Sequence, residues 1–181
     1  MTTELTFTLT VTAAGESQDF VLGARHVESL VSTSYGDTAE FAGLFAAAAQ
    51  HPSASVRRSV AGMQHLPGDA AMALSKDPCA IVRRNVVQNQ MFMRMAGDET
   101  VLALIASDPE AAEAVAFMVT QFENADSNVL CEALLQHPDP DVRRALGSNC
   151  STPMKWLRKL RTDESKEVAA AALETLNNRS R

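Results

Sequence analysis

The sequence predicts a mainly α-helical fold: a short array of stacked helical units behind an N-terminal β-hairpin. Three observations predict it. A phrase recurs along the chain: His51-Pro-Ser-Ala-Ser-Val-Arg-Arg returns as Asp77-Pro-Cys-Ala-Ile-Val-Arg-Arg and as His137-Pro-Asp-Pro-Asp-Val-Arg-Arg. A recurrence at this period means stacked supersecondary units. Apolar residues alternate at period two only near the N-terminus and take helical spacing afterwards. The 46% of apolar residues are mostly Ala, Val, Leu and Met, with 5% aromatic. Small residues let helices approach closely.

The chain of 181 residues divides into three parts: a hairpin and short helix over 1–36, a repeat array over 37–176, and a polar tail over 177–181. In the first, Leu5, Phe7, Leu9 and Val11 alternate with polar residues, which is strand periodicity over 4–11. Ala13 to Ser17 reads as a turn, and Asp19-Phe-Val-Leu returns as a second strand. An isolated hairpin is marginal in water, so it is expected to pack on the first helices. Arg25 to Ser32 reads as a short helix broken at Gly36-Asp37. Asp37 or Thr38 caps the next helix, which runs to about Gln50 with Phe41, Leu44, Phe45 and Ala48 on one face.

The units start at His51, Asp77, Asp108, His137 and Asp163, spaced 26, 31, 29 and 26 residues apart. Each holds a first helix, a turn and a second helix. Pro67 and Pro153 occupy equivalent positions in the first turn of second helices. Asp98 and Ser127 are the expected caps of the other two. Leu102/Ile105, Cys131/Leu134 and Leu157/Leu160 are the expected buried pairs. The second unit carries extra residues, Gln88-Asn-Gln-Met-Phe-Met-Arg-Met, and the third lacks the arginines. The last is half a unit, as a terminal cap should be.

The period, the Asp/His-Pro start and the Val-Arg-Arg phrase resemble HEAT-like repeats, and most closely the variant leucine-rich repeat. The best stretch runs from His137-Pro-Asp-Pro-Asp-Val-Arg-Arg to Thr152-Pro-Met-Lys-Trp-Leu. The resemblance covers 51–176, and 37–50 weakly. It implies a right-handed α-solenoid that engages other proteins. Some variant leucine-rich proteins hold an iron–sulfur cluster on N-terminal cysteines. Here no cysteine precedes Cys79, so no cofactor is expected. HEAT-like relatives include bilin lyases and DNA glycosylases, but no catalytic motif supports either.

Helix geometry separates the two arginines. With Val56 and Val60 buried, Arg57 lies about 80° from the buried line and Arg58 nearly opposite it. Arg57, Arg83 and Arg143 are thus expected between units, paired with acids. The resemblance implies an Asp six residues before each. Asp77 fits before Arg83, whereas His51 and His137 depart from the pattern and interrupt the ladder. Arg58, Arg84 and Arg144 face solvent and are candidates for a partner, against the plain reading of a solvated face.

Between Met95 and Val142 there are ten acids and no Lys or Arg, leaving 16 bases and 12 acids elsewhere. The expected surface has an acidic band between basic ends, suited to steered association with a partner or a second copy. Acids drawn to helix N-termini would account for several of the ten. Met91, Phe92 and Met93 form either an adaptable binding loop or a packed insertion. Trp156, in the basic segment Lys155 to Arg161, is a further candidate.

A net charge of −6 argues against dedicated nucleic-acid binding. Three widely spaced cysteines, no signal-like N-terminus and no long apolar run suggest a cytoplasmic protein outside the membrane. His26, His51, His65 and His137 share no metal-ligand spacing. The expectation is a non-catalytic protein-binding module. Its rivals are nucleic-acid binding through the solvent-facing arginines with 155–161, and a lyase- or glycosylase-type enzyme.

Overall fold

The computed structural model describes residues 5–32 and 38–180. Glu4, at which the expected first strand begins, and the expected break and cap at Gly36-Asp37 lie outside them. The molecule is mainly helical, with twelve α-helices and one two-stranded sheet among the described residues.

Strands β1 (Phe7–Ala13) and β2 (Glu16–Leu22) pair antiparallel, from Phe7–Leu22 to Ala13–Glu16. Ala14 and Gly15 link them at φ of 52° and 86°, the two-residue turn whose twist matches the strands. Phe7, Leu9 and Val11 share one face with Leu22 and Phe20, while Thr8, Thr10 and Thr12 share the other with Asp19 and Ser17. On that polar face the Thr10 hydroxyl donates to Asp19 at 2.7 Å. The hairpin does not lie on the helices as expected. Only its base does: Phe7 and Leu22 pack against the core, and the Phe7 ring lies 5.5 Å from that of His51. Leu9, Val11 and Phe20 remain 51%, 47% and 45% exposed. The apolar side of helix α1 (Ala24–Ser32) is already covered by other helices, which leaves room for the hairpin's base alone.

The expected helix to Gln50 is a 3-10 turn at Ala39–Phe41 followed by α2 (Ala42–Ala48). Phe45 and Ala48 are buried, but Phe41, held in the tighter turn, is turned outward. Thr38 takes the N-cap position without a side-chain hydrogen bond.

The remaining helices are α3 (Ala54–Ala61), α4 (Gly68–Leu74), α5 (Ala80–Val87), α6 (Gln90–Met95), α7 (Asp98–Ser107), α8 (Pro109–Met118), α9 (Ser127–Leu135), α10 (Pro140–Ser148), α11 (Met154–Leu160) and α12 (Lys166–Arg179). Helices α1, α3, α5, α8, α10 and α12 touch in that order. Each turns one pair of residues, four apart, into the core: Val27/Val31, Val56/Val60, Val82/Val86, Ala111/Val115, Val142/Leu146 and Val168/Ala172, all fully buried. Burying one such valine or leucine contributes about 1.5–3 kcal/mol. Behind this row, α4 meets α6, α7 meets α9, and α9 meets α11.

Local starts differ from expectation by one residue in several places. Pro67 and Pro153 are N-caps, with α4 and α11 beginning at the next residue. Gly97, not Asp98, precedes α7, and Asp126, not Ser127, caps α9 by accepting the Asn128 N–H. Asp98 accepts the Asp126 N–H at 2.7 Å instead. In α7 the buried residues are Val101, Leu104 and Ile105, and Leu102 is only partly covered.

Candidate functional site

The first arginine of each phrase is the fourth residue of its helix and reaches forward across a unit boundary. Arg57 Nε donates to Asp77 Oδ2 at 2.6 Å and Nη2 to Oδ1 at 3.0 Å. Arg83 Nε donates to Asp108 at 2.9 Å, and its Nη2 contacts the same oxygen. Arg143 Nε and Nη2 donate to Asp163 at 2.9 and 3.1 Å. Each Nη1 turns back to the first carbonyl of its own unit: His51, Asp77 or His137. The acid therefore belongs to the following unit, not to a position six residues earlier in the same one.

This forward reach explains where histidine stands. Counted from its helix start, the third unit has Ala112 where the others have the first arginine. The preceding unit therefore brings no guanidinium to the His137 side chain. Its Nδ1 instead accepts the Asp139 N–H, as His51 Nδ1 accepts that of Ser53. Asp77 and Asp163 make the same local turn with Cys79 N–H and Ser165 N–H, and receive the arginine besides. The ladder is broken once, between the third and fourth units.

Burial raises the carboxyls of Asp77 and Asp163, but the hydrogen bonds from Arg57 or Arg143 and from the backbone outweigh it. Asp108 is likewise held below its ordinary value by Ala111 N–H and Arg83, against its burial. His51 is lowered by burial first and by the Arg57 charge second.

A second link runs backwards. Asn89 Nδ2 donates to the Ala61 and Met63 carbonyls at 3.0 and 2.8 Å, closing the end of α3. Asn149 does the same to Ala116 and Phe117 at 2.9 and 3.0 Å. Both asparagines stand twelve residues after their unit starts. That shared position was the signal available in the sequence, and the reading of the repeats missed it.

The sequence candidates fall into three groups. Arg58, Arg84 and Arg144 face solvent, as expected. Arg58 lies 3.6 Å from Glu28, and Arg144 pairs with Asp141 on its own helix at 3.0 Å. The row they form is not purely basic, because Glu113 takes the equivalent place on α8. Two exposed apolar residues that sequence reasoning missed lie on the same faces: Ile81 one turn before Arg84 (46% exposed) and Phe117 one turn after Glu113 (48%).

Met91, Phe92 and Met93 do not protrude. Phe92 is fully buried, edge-on to Phe122 with centroids 6.2 Å apart, and Met93 packs against the core. The insertion is a short helix, α6, capped by Asn89 and stitched to the loop before α9. Glu123 N–H donates to the Met93 carbonyl at 3.0 Å, and Asn124 Nδ2 to that of Arg94 at 2.6 Å. The extra residues of the second and third units are thus fastened to each other. Phe92 is a clamp between units, not a partner-binding residue.

Trp156 does not reach the surface either. It is 5% exposed, roofed by the ammoniums of Lys155 and Lys159 at 5.0 and 4.4 Å from its ring. Its position follows from α11 turning Trp156, Leu157 and Leu160 inward together.

Seven of the ten acids of the arginine-free stretch sit at helix starts. Asp108, Asp126 and Asp139 are N-caps; Asp98, Glu99, Glu110 and Asp141 lie in first turns.

Two clefts lie along the ladder. One of about 630 Å³ is lined by His137, Arg143, Asp163 and Glu164, and another of about 380 Å³ by Lys76, Asp77, Arg83 and Thr100. Their aspartates are already engaged by arginine. Burial pushes the Cys131 thiol up to about 11. Among the described residues no three His, Cys, Asp or Glu are grouped to hold a metal, and no helix is long and apolar enough to cross a membrane. No protein-family model, curated protein or solved structure matches this chain.

Proposed function

We propose that this chain is a short right-handed α-solenoid of the HEAT-like, variant leucine-rich kind, and that it is a non-catalytic protein-binding module. The ordered contacts of α1, α3, α5, α8, α10 and α12 support the architecture. The observation that carries the function is the outward surface of α5 and α8. There Ile81 and Phe117 stand exposed on faces that also carry Arg84 and Glu113, with Arg58 and Arg144 on the helices to either side. Apolar anchors among arginines are the composition of a protein interface core. A phosphate-binding groove would instead favour an unbroken basic row and an aromatic free to stack. Here Glu113 interrupts the row, and the exposed aromatic of this surface, Phe117, lies one turn from that acid rather than among bases.

The test compares wild type with an Ile81→Glu/Arg84→Glu variant. Proteins captured by the wild type are purified, and their affinities for both forms are measured. The double variant should bind about tenfold or more weakly, the loss of one contact worth ~1.4 kcal/mol. Equal affinity would reject this surface. Tight binding of generic DNA or RNA at low salt, with a steep salt slope, would reject the protein-module reading itself.

A further inference from the structure

We infer that a second copy of this chain pairs with the free edge of β1, joining the two hairpins into one four-stranded antiparallel sheet. The sheet order is β1-β2, so β1 keeps one edge unpaired among the described residues. A two-residue turn makes Ala13–Glu16 a hydrogen-bonded pair, so odd residues of β1 address β2. The N–H and C=O groups of Thr8, Thr10 and Thr12 therefore point to the open edge. Proteins blunt such edges with charge, proline or a bulge. Residues 7–13, Phe-Thr-Leu-Thr-Val-Thr-Ala, carry none of these.

The sequence of β1 identifies the partner. It is a pseudo-palindrome about Thr10: Thr8 mirrors Thr12, Leu9 mirrors Val11, and Phe7 mirrors Ala13. A twofold axis through Thr10 pairs each residue with its mirror residue in the second copy. Thr8, Thr10 and Thr12 then bond to Thr12, Thr10 and Thr8 of the second copy, in the hydrogen-bonded register their backbone requires. Threonine meets threonine on the polar face, a favourable cross-strand pair, and no like charges are opposed. The edge of β2 is less suited, since the equivalent twofold through its central residue would oppose Asp19 to Asp19 of the second copy.

The pairing also accounts for the uncovered apolar face. Leu9, Val11 and Phe20 stand off their own helices, while Phe7 at the base is docked on them. In the paired sheet Val11 and Ala13 come beside Leu9 and Phe7 of the second copy. The bare tip of each hairpin thereby continues the docked base of the other. Three or more strands with an apolar face also meet the requirement for sheet stability that one hairpin does not.

The full chain is measured by sedimentation equilibrium across the micromolar range. Wild type should have twice its 19.5 kDa chain mass. Thr10→Pro removes an edge N–H without touching the β1–β2 ladder, and Thr10→Lys opposes two ammoniums on the axis. Both should halve the mass with unchanged helical circular dichroism. Thr10→Cys, with Cys79 and Cys150 replaced by serine, should form a covalent dimer on mild oxidation. A monomeric wild type, a dimer that persists in Thr10→Pro and Thr10→Lys, or a Thr10→Cys chain that fails to crosslink would each overturn the inference.

Discussion

Arg57 and Asp77 meet across a unit boundary through two parallel hydrogen bonds, with the Arg57 Nη1 also holding the carbonyls of His51 and Pro52 at 2.8 and 2.9 Å. One guanidinium thus ties the start of its own unit to the start of the next. The residue that opens a unit then depends on the unit before it. It is Asp after Arg57, Arg83 and Arg143, and His at His137, where the preceding helix offers Ala112. His51 follows α1, whose residue beside the buried Val27 is Glu28.

This dependence predicts an asymmetry between two exchanges. Asp77→His keeps a local acceptor for Cys79 N–H but leaves Arg57 without its carboxylate, and should cost about 2 kcal/mol or more. His137→Asp retains the turn and meets no cation from the previous unit, so its effect should stay within about 1 kcal/mol. Urea unfolding of both variants reads the difference. Equal costs would remove the explanation for the His/Asp alternation.

Acid should weaken the molecule in two stages. His51 is depressed in the folded state below its ordinary 6.5, so its contribution is present above pH 6.5 and is lost as pH falls through its folded value. Asp77, Asp108 and Asp163 are depressed below 3.8, so theirs is complete above that pH and is lost further down, as each carboxylate protonates. Thermal melts from pH 7.5 to 3 should show a first decline below 6.5 that His51→Asn abolishes, then a steeper one below about 4. A first decline that survives His51→Asn would assign it elsewhere.

Phe92→Ala should destabilise the fold by about 3–5 kcal/mol, the cost of emptying a closed aromatic site. Phe122→Ala should cost less when Phe92 is already gone, because the two rings share one contact. Chemical denaturation of the two single variants and the double one measures both. A Phe92→Ala protein as stable as wild type would return the insertion to the surface.

The helices and their buried valines were legible because a residue pair four apart repeats in unit after unit. The split between a boundary arginine and an outward one followed from the same 100° step. What was hidden lay in relations between units. Nothing local distinguishes an acid in the same unit from one in the next, so Asp77 was matched to Arg83 when its carboxylate serves Arg57. Met91 to Met95 and the loop at Glu123 and Asn124 each looked like an irregularity, because each completes only the other. Trp156 was misplaced by its basic neighbours: Lys155 and Lys159 fold over the ring and give an inward aromatic an exposed-looking setting. The hairpin's alternation was legible, but the side of it that finds cover depends on how much of α1 is already taken.

Guanidinium–carboxylate rungs join successive units, and a double-mutant cycle on Arg143 and Asp163 measures their coupling directly. Both side chains are nine-tenths buried or close to it, at 8% and 10% exposed. Unfolding free energies of wild type, Arg143→Ala, Asp163→Ala and the double variant should give a coupling of about 2 kcal/mol, with each single variant nearly as costly as the double. A coupling near zero, with the two losses simply adding, would contradict it.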